Sequence, residues 1–510
     1  MRLFYNSNTM KNQIKTALIS VFNKDGLEPI VRKLNDLGIQ IYSTGGTQTF
    51  IQDLNIACTA VEDVTGYPSI LGGRVKTLHP KVFGGILARR SLADDIKHIE
   101  QHDIPLLDLV IVDLYPFEDT VAQTDDEPTI IEKIDIGGVS LIRAAAKNYK
   151  DVSIISSRKQ YNYLQELLDH QSGEINLEQR RLMAKWAFEE CAHYDVAIAN
   201  YFENENNFQL STGPKQTMRY GENPHQIGEF YGQINDWFEK LNGKDLSYNN
   251  MVDADAACQL MAEFSEPCFA VIKHTNVCGI AQRDDLKSAW EAALAGDPES
   301  AFGGVLVCNR KIDLETATSI HQLFFEILIA PDFDNDALEL LKTKKNRNLL
   351  RLKKSLKPKQ EFKRIFDGVL VQSSDDIHAK EWQNVGATES TEQQNADLIF
   401  ANLVCKHLKS NAIALVKNQQ LLGKGCGQTS RIDALKHAIE KAQHFQFDLQ
   451  GAVMASDAFF PFDDCIKIAH EAGISAVVQP GGGVRDKDSI AFAQVHNMVM
   501  LMTGTRHFKH

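Results

Sequence analysis

Short apolar runs that end in glycine-rich or polar turns recur along almost the whole chain, separated by stretches of helical period. Residues 17–21 form such a run. Leu27, Ile30, Val31, Leu34 and Leu37 then share one helical face before Gly38. Residues 39–42 lead into Ser43-Thr44-Gly45-Gly46-Thr47, and Leu109–Val112 and residues 152–155 repeat the pattern. Apolar strands that alternate with helices need cover on both faces, which predicts an α/β fold with a mostly parallel sheet. The pattern resumes further on. A helix over 286–293 precedes strands at 303–307 and 327–330, and a helix over 432–439 precedes strands at 451–454 and 476–478. Two such passes predict an internal duplication, with paired α/β subdomains facing one another.

A chain of 510 residues exceeds what one core supports. Residues 1–202 are expected to form a first domain, the polar, Asn- and Gly-containing segment 203–216 a linker, and 217–510 a second domain with two related halves. No run approaches the ~20 apolar residues of a membrane span, and the first nine residues lack the apolar core of a signal peptide. Nine cysteines, an odd number with no Cys-x-x-Cys pair, argue for a reducing compartment and against a zinc site. A soluble, cytoplasmic protein is expected. The net charge of −13 argues against a nucleic-acid partner. Residues 342–364, with eleven Lys/Arg and one Glu, are the exception, and they are expected to form a solvated basic excursion.

Four clusters carry polar chemistry in the first domain: 43–47, 72–80, Asp113-Leu114-Tyr115-Pro116, and Asp135-Ile136-Gly137-Gly138 with Arg143 and Lys147. Glycines after strands let backbone N–H groups approach phosphate oxygens. In an extended segment Arg74 and Lys76 would share one face, with Val75 turned inward. Arg143 and Lys147, four apart on an expected helix, project from one face and need an anion or carboxylate to answer them. No Walker lysine follows a Gly-rich loop and no Gly-x-Gly-x-x-Gly opens the domain, which argues against nucleoside triphosphate and dinucleotide sites.

In the second domain, residues 218–226 concentrate polar and special-backbone residues. Lys273-His274-Thr275-Asn276 stands at the C-terminal end of the apolar run 269–272, where open α/β sheets present ligand groups. Lys273 beside His274 pairs a cation able to oppose charge on a carbonyl oxygen with an imidazole able to accept a proton. That pair suits acyl or formyl transfer to a weak nitrogen nucleophile. Asn411 is expected to begin a strand, and residues 425–431 precede a helix start suited to an anion. Cys278 near His274 does not make a metal site. The basic terminus 503–510 follows an apolar strand, which would anchor it near a site.

Taken together, these segments resemble the bifunctional purine-biosynthesis family of phosphoribosylaminoimidazolecarboxamide (AICAR) formyltransferase/IMP cyclohydrolases, over roughly residues 14–510. The most specific pieces are 71–80, 134–148, 219–226, 273–276, 425–431, 456–462 and 506–510. The resemblance implies a methylglyoxal-synthase-like parallel-sheet domain followed by duplicated cytidine-deaminase-like subdomains without the deaminase zinc. It implies formyl transfer from 10-formyltetrahydrofolate to AICAR, giving FAICAR, and cyclisation of FAICAR to IMP. It also implies a homodimer with transferase sites at the subunit interface. For transfer, Lys273 and His274 match the family's catalytic pair and Asn411 the residue that orients the reacting groups. Arg219, Tyr220, Phe302, Gly303, Phe459 and Arg506 match its substrate surroundings. For cyclisation, Lys76, Tyr115, Asp135 and Lys147 fall on catalytic positions. Ser20, Lys24, Ser43, Thr44, Gly45, Gly46, Thr47, Arg74, Thr77 and Arg143 fall around the nucleotide.

The chain departs from that family's usual pattern at four places. Phe22 replaces a serine of the first loop, Asp113 an asparagine before Leu-Tyr-Pro-Phe, and Val139 and Val277 replace prolines. Phe22 removes a hydroxyl on the phosphate side, and Asp113 would repel a phosphate unless it points away. Two other readings stay open on sequence alone. One is a transferase whose N-terminal domain only binds ligand or assists assembly; the other is a nucleic-acid-associated regulator.

Overall fold

The computed structural model describes residues 11–202, 209–355, 360–377 and 382–510. The chain divides into two compact units, Met1–Thr212 and Gly213–His510.

Unit 1 is built on a five-stranded, all-parallel sheet. Its strands are β1 (Thr16–Ser20), β2 (Gln40–Ser43), β3 (Thr59–Ala60), β4 (Leu109–Val112) and β5 (Ser153–Ile155), in the order β3-β2-β1-β4-β5. All four residues of β4 are buried, as an unalternated apolar run between two helical layers must be. Helix α1 (Leu27–Asp36) buries Leu27, Ile30, Val31 and Leu34, the face read from the sequence. It stops at Leu37, and Gly38 takes the positive φ of 68° that a helix end accommodates with glycine. Helices α2 (Gly45–Asp53), α3 (Gly137–Lys147) and α4 (Leu177–Tyr201) complete the elements used below. The chain runs outward from β1 to β3 on one side and from β4 to β5 on the other. The direction therefore reverses between β1 and β4, and a crevice opens beyond their C-terminal ends.

Unit 2 is a duplication in element order. The first copy is β6 (Phe238–Asn242), α5 (Tyr248–Met261), β7 (Cys268–Lys273), β8 (Asn276–Gln282), α6 (Leu286–Gly296), β9 (Val305–Cys308), α7 (Leu314–His321), β10 (Ile327–Ala330), α8 (Asn335–Lys342) and β11 (Asn348–Leu352). The second is β12 (Gln383–Asn384), α9 (Glu392–Lys406), β13 (Ile413–Lys417), β14 (Gln420–Gly425), α10 (Arg431–His444), β15 (Val453–Ser456), α11 (Asp464–Glu471), β16 (Ala476–Gln479), α12 (Asp486–Val495) and β17 (Val499–Met502). Twelve strands form one sheet in the palindromic order β6-β11-β10-β9-β7-β8-β14-β13-β15-β16-β17-β12. The halves therefore do not face one another as the sequence predicts. They lie side by side, joined where β8 meets β14. Both β7–β8 and β13–β14 are hairpins, so the sheet is mixed, with parallel pairing confined to β9–β11 and β15–β17.

Three other expectations change. The basic segment 342–364 is not one solvated excursion: Asn348, Leu349 and Leu350 are buried in β11, and the Arg347 guanidinium caps the carbonyls of His321 and Leu323. Residues 356–359 of that segment lie outside the described residues, as do 203–208 of the expected linker. Residues Lys215–Thr217 pair as a strand with Glu229–Tyr231, so the end of that linker belongs to unit 2. Asn411 stands two residues ahead of β13 rather than in it. No helix among the described residues is long and apolar enough to cross a membrane.

Candidate functional site

The reversal point of the unit 1 sheet holds a cavity of about 680 Å3. It is lined by the ends of β1 and β4, the start of α2, the turn at 72–77 and the segment 131–138. Ser20, Lys24, Thr44, Gly46, Thr47, Arg74, Lys76, Thr77, Tyr115 and Asp135 all reach it, so four sequence clusters far apart in the chain converge on one space. Arg143 and Lys147 do not line it. Both are exposed on α3, with the Arg143 guanidinium 5.7 Å from the centre of the Phe188 ring. Ser43 and Gly45 do not line it either; Ser43 is fully buried, and its hydroxyl donates to Ile19 O at 2.7 Å.

The walls are fixed by polar contacts, buried at Thr47 and more open at Lys24 and Arg74. Thr47 Oγ1 accepts from Val21 N at 3.1 Å and donates to Val21 O at 2.9 Å, tying α2 to the loop after β1. Lys24 Nζ donates to the carbonyls of Val21 and Phe22, at 3.0 and 2.8 Å. Arg74 is helical rather than extended (φ −65°, ψ −23°) and pairs with Glu132, so it does not share an extended face with Lys76. Lys76 folds back over the glycines: a Cβ on Gly73 would lie 2.9 Å from its Cε, and one on Gly45 3.0 Å from its Nζ. Its ammonium therefore stands at the N-terminus of α2, where an anion is favoured twice over, by charge and by free N–H groups.

Asp135 Oδ1 accepts from Gly138 N at 2.6 Å, and a Cβ on Gly138 would sit 2.6 Å from Oδ2. Glycine at 138 is thus required for the carboxylate to cap α3. Burial raises the Asp135 carboxyl above the usual aspartate range, opposed by the N–H groups of Gly138 and Tyr115 and assisted by Asp113. The Tyr115 phenol is also raised, by burial and then by Asp135. Asp113 does not point away. Its carboxylate lines the cavity and accepts from the backbone N–H groups of Phe22 and Asn23, the latter at 3.0 Å. Val139, in the place of the proline, packs into the core behind the cavity.

In unit 2 the pair Lys273–His274 sits at the β7–β8 turn. His274 (φ 51°) and Thr275 (φ 62°) are both left-handed, and Asp253 holds the strained turn by accepting from Thr275 N at 2.7 Å. Lys273 Nζ donates to Phe302 O at 2.8 Å, which places Phe302 and Gly303 beside the pair. The His274 side chain is exposed, and Phe302 is 60% exposed. Asn276 accepts from Cys426 Sγ at 3.4 Å, joining this turn to the loop at the end of β14.

Beyond that loop, Asn411 Nδ2 donates to Gln428 O at 3.0 Å and its Oδ1 accepts from Arg431 at 2.8 Å. Arg431 is itself buried against Asp457 and donates to Phe459 O at 3.2 Å. One guanidinium thus orients Asn411 and the segment carrying Phe459. The chain terminus is anchored in the same place: Ser410 N donates to Lys509 O at 2.9 Å and His507 N to Asp457 O at 3.0 Å. Arg506 is exposed beside this anchor. Arg219 and Tyr220 pair with each other, at 2.7 Å between Nη2 and Oη, and no hydrogen bond among the described residues ties them to Lys273, His274 or Asn411. Among the described residues no group of three or more His, Cys, Asp or Glu side chains is arranged to hold a metal ion.

Sequence reasoning did not single out Arg431, Asp457, Glu132 or Lys133 as site residues. The first two lie inside segments it had marked as specific, but a buried pairing across 26 positions has no local signature.

Residues 145–441 match the protein family described as AICARFT/IMPCHase bienzyme, and residues 26–140 match the MGS-like domain. Curated proteins named "Bifunctional purine biosynthesis protein PurH" are similar along the whole length. That of Bacteroides thetaiotaomicron is 55% identical over 502 residues, covering 98% of this chain and 99% of its own. That of Chlorobium phaeobacteroides is 44% identical over 516 residues, covering 98% and 99%. That of Caldicellulosiruptor saccharolyticus is 44% identical over 516 residues, covering 97% and 100%.

Proposed function

The chain belongs to the AICARFT/IMPCHase bienzyme family and is a bifunctional formyltransferase and IMP cyclohydrolase of purine biosynthesis, and from that premise we propose how its residues divide the work. The unit 1 cavity cyclises FAICAR to IMP. The Lys273–His274 turn of unit 2 transfers the formyl group to AICAR. The transfer uses a folate-type donor, which we take to be 10-formyltetrahydrofolate.

For transfer, His274 accepts the proton of the attacking amine while Lys273 opposes the charge that develops on the formyl oxygen. Asn411, held by Arg431, orients the reacting groups. Arg219, Tyr220, Phe302, Gly303, Phe459 and Arg506 surround the two substrates. The exposure of His274 and Phe302 favours a site completed by a second copy of the chain, in a homodimer. The activity is placed in the cytoplasm, without a nucleic-acid or membrane partner.

For cyclisation, the carboxamide nitrogen of FAICAR attacks the formyl carbon and water then leaves. Lys76 stabilises the oxygen that gains charge. Tyr115 and Asp135 carry protons, an assignment supported by their convergence on the cavity and by a carboxyl that burial raises above the usual aspartate range. Ser20, Lys24 and residues 44–47 hold the phosphate, with Arg74 and Thr77 around the ligand. Ser43 supports that loop from beneath. Lys147 and Arg143 remain assigned to the site on the family resemblance; within this chain they stand on the exposed face of α3.

The observation that carries the reading is the convergence of Lys76, Tyr115 and Asp135 on one cavity at the sheet's reversal point. The test is substitution of His274 by alanine. His274→Ala should abolish FAICAR formation yet cyclise supplied FAICAR normally; transfer at the wild-type rate would contradict it. Cyclisation by a 1–202 fragment would exclude a merely structural first domain. Binding of RNA or DNA that weakens with salt would be needed to revive the regulator reading.

A further inference from the structure

The loop after β1 carries a phenylalanine, Phe22, that is 43% exposed. An exposed ring at the mouth of a polar cavity needs an explanation, and its contacts supply one. The Phe22 ring meets the Tyr115 ring edge-on, with centroids 5.3 Å apart and planes at 66°. Lys133 Nζ lies over both rings, 5.1 Å from the centre of Phe22 and 5.7 Å from that of Tyr115. Among the described residues Lys133 has no ion-pair partner, and these two faces attract its ammonium at the edge of the cavity. The backbone of Phe22 is pinned as well: its N–H donates to the Asp113 carboxylate and its carbonyl accepts from Lys24. Tyr115 itself is 41% exposed and follows β4 in an open turn, without a helix to hold its ring.

We propose that Phe22 is a positioning residue of the cyclohydrolase site, acting with Lys133 as a brace that holds the Tyr115 phenol in the cavity. Asp113 belongs to the same device, because its carboxylate fixes where the Phe22 ring starts. The hydroxyl that a serine at 22 would bring to the phosphate is given up, and a fixed tyrosine is gained. This rests on the assignment of Tyr115 to proton transfer made above. An edge-on aromatic pair of this geometry corresponds to a factor of roughly 3–10 in an equilibrium or rate.

The test uses the full-length protein with supplied FAICAR. Phe22→Leu should lower kcat for cyclisation by about 3–10-fold with little change in KM, and Phe22→Tyr, which keeps the ring, should restore it. Lys133→Met should act in the same direction. In a Tyr115→Phe background, Phe22→Leu should add no further loss, since the brace acts only through the phenol. Transfer to AICAR should be unchanged in all of these, and the circular-dichroism spectrum and thermal unfolding of each variant report whether unit 1 is folded. Phe22→Leu at wild-type kcat, a loss confined to KM, or a full additional loss on top of Tyr115→Phe would overturn the brace alone. Tyr115→Phe at wild-type kcat would overturn the assignment of Tyr115, and the brace with it.

Discussion

Asp135 shows what a single residue contributes here and what it costs. Its carboxyl is raised by burial, so the folded chain keeps a proton at a pH where the unfolded chain has already lost it. Stability from this group is therefore highest below the unfolded value near ~4 and falls as pH rises through the folded value. Asp135→Asn should abolish cyclisation while leaving the thermal midpoint at neutral pH unchanged or higher. A lower midpoint at pH 7 than the wild type would contradict this. Cyclisation by the wild type should likewise fall on the acid side at a higher pH than an ordinary aspartate would give. Glu263 runs the other way. It pairs with Lys406 at 2.8 Å and accepts from the His407 imidazole at 2.9 Å, and these partners outweigh burial to hold its carboxyl down at about 2. Burial pushes His407 itself down, so Lys406 supplies the opposing charge. The stability Glu263 confers is present above the unfolded value near ~4.5 and is lost as pH falls toward about 2. Glu263→Gln should cost about 3 kcal/mol at neutral pH, read from the urea midpoint, and a change under ~1 kcal/mol would contradict the pairing. Residue types at Asp135, Lys76 and His274 were legible in the sequence because each sits in a local motif. The brace and the Glu263 pair were not, because their partners are distant in the chain and distance along the chain says nothing of a shared surface.

At the scale of elements, the duplication explains details that no single segment does. The β7–β8 turn has two left-handed residues, His274 and Thr275, and so has the β13–β14 turn, at Asn418 and Gln419. Each hairpin then shifts register, after Val271 and after Leu415. Gly279 and Gly423 occupy the same place in β8 and β14. A Cβ on either would lie 1.8 and 2.1 Å from the carbonyls of Ala293 and Ala438, in the helix that follows. Gly279→Ala and Gly423→Ala should therefore each destabilise unit 2 by about 3 kcal/mol or more, measured by urea unfolding. A small effect at either would mean that the helix does not press on the strand. The first copy of the turn carries Lys-His where the second carries Lys-Asn, so only one half of the repeated hairpin offers an imidazole at that place. Threonine tolerates the left-handed region poorly, and Thr275→Asn should stabilise unit 2 by roughly 0.5–1 kcal/mol. The strands and helices were legible as a repeated pattern. Their side-by-side union was not, because pairing of β8 with β14 rests on single cross-strand contacts that leave no period in the sequence.

At the scale of the whole molecule, one chain forms two compact units, and on the assignment proposed above each unit contains the principal groups of one chemistry. Lys76, Tyr115 and Asp135 converge without any residue of unit 2, and Lys273, His274 and Asn411 are positioned by unit 2 alone. The two activities should therefore fail independently. The family's α/β class was legible from strand and helix periodicity, and the order of the motifs supplied the candidate site residues. Exposed Arg143 and Lys147 mark where motif order and cavity lining part company. The most direct measurement is a coupled assay on one preparation of full-length protein, with AICAR and a formyl-folate donor added to some samples and FAICAR alone to others. The wild type should form IMP from both. Lys76→Met should accumulate FAICAR without forming IMP, and His274→Ala should form IMP only from supplied FAICAR. Loss of both activities in either folded variant, or IMP formation from AICAR by both, would contradict two separate sites.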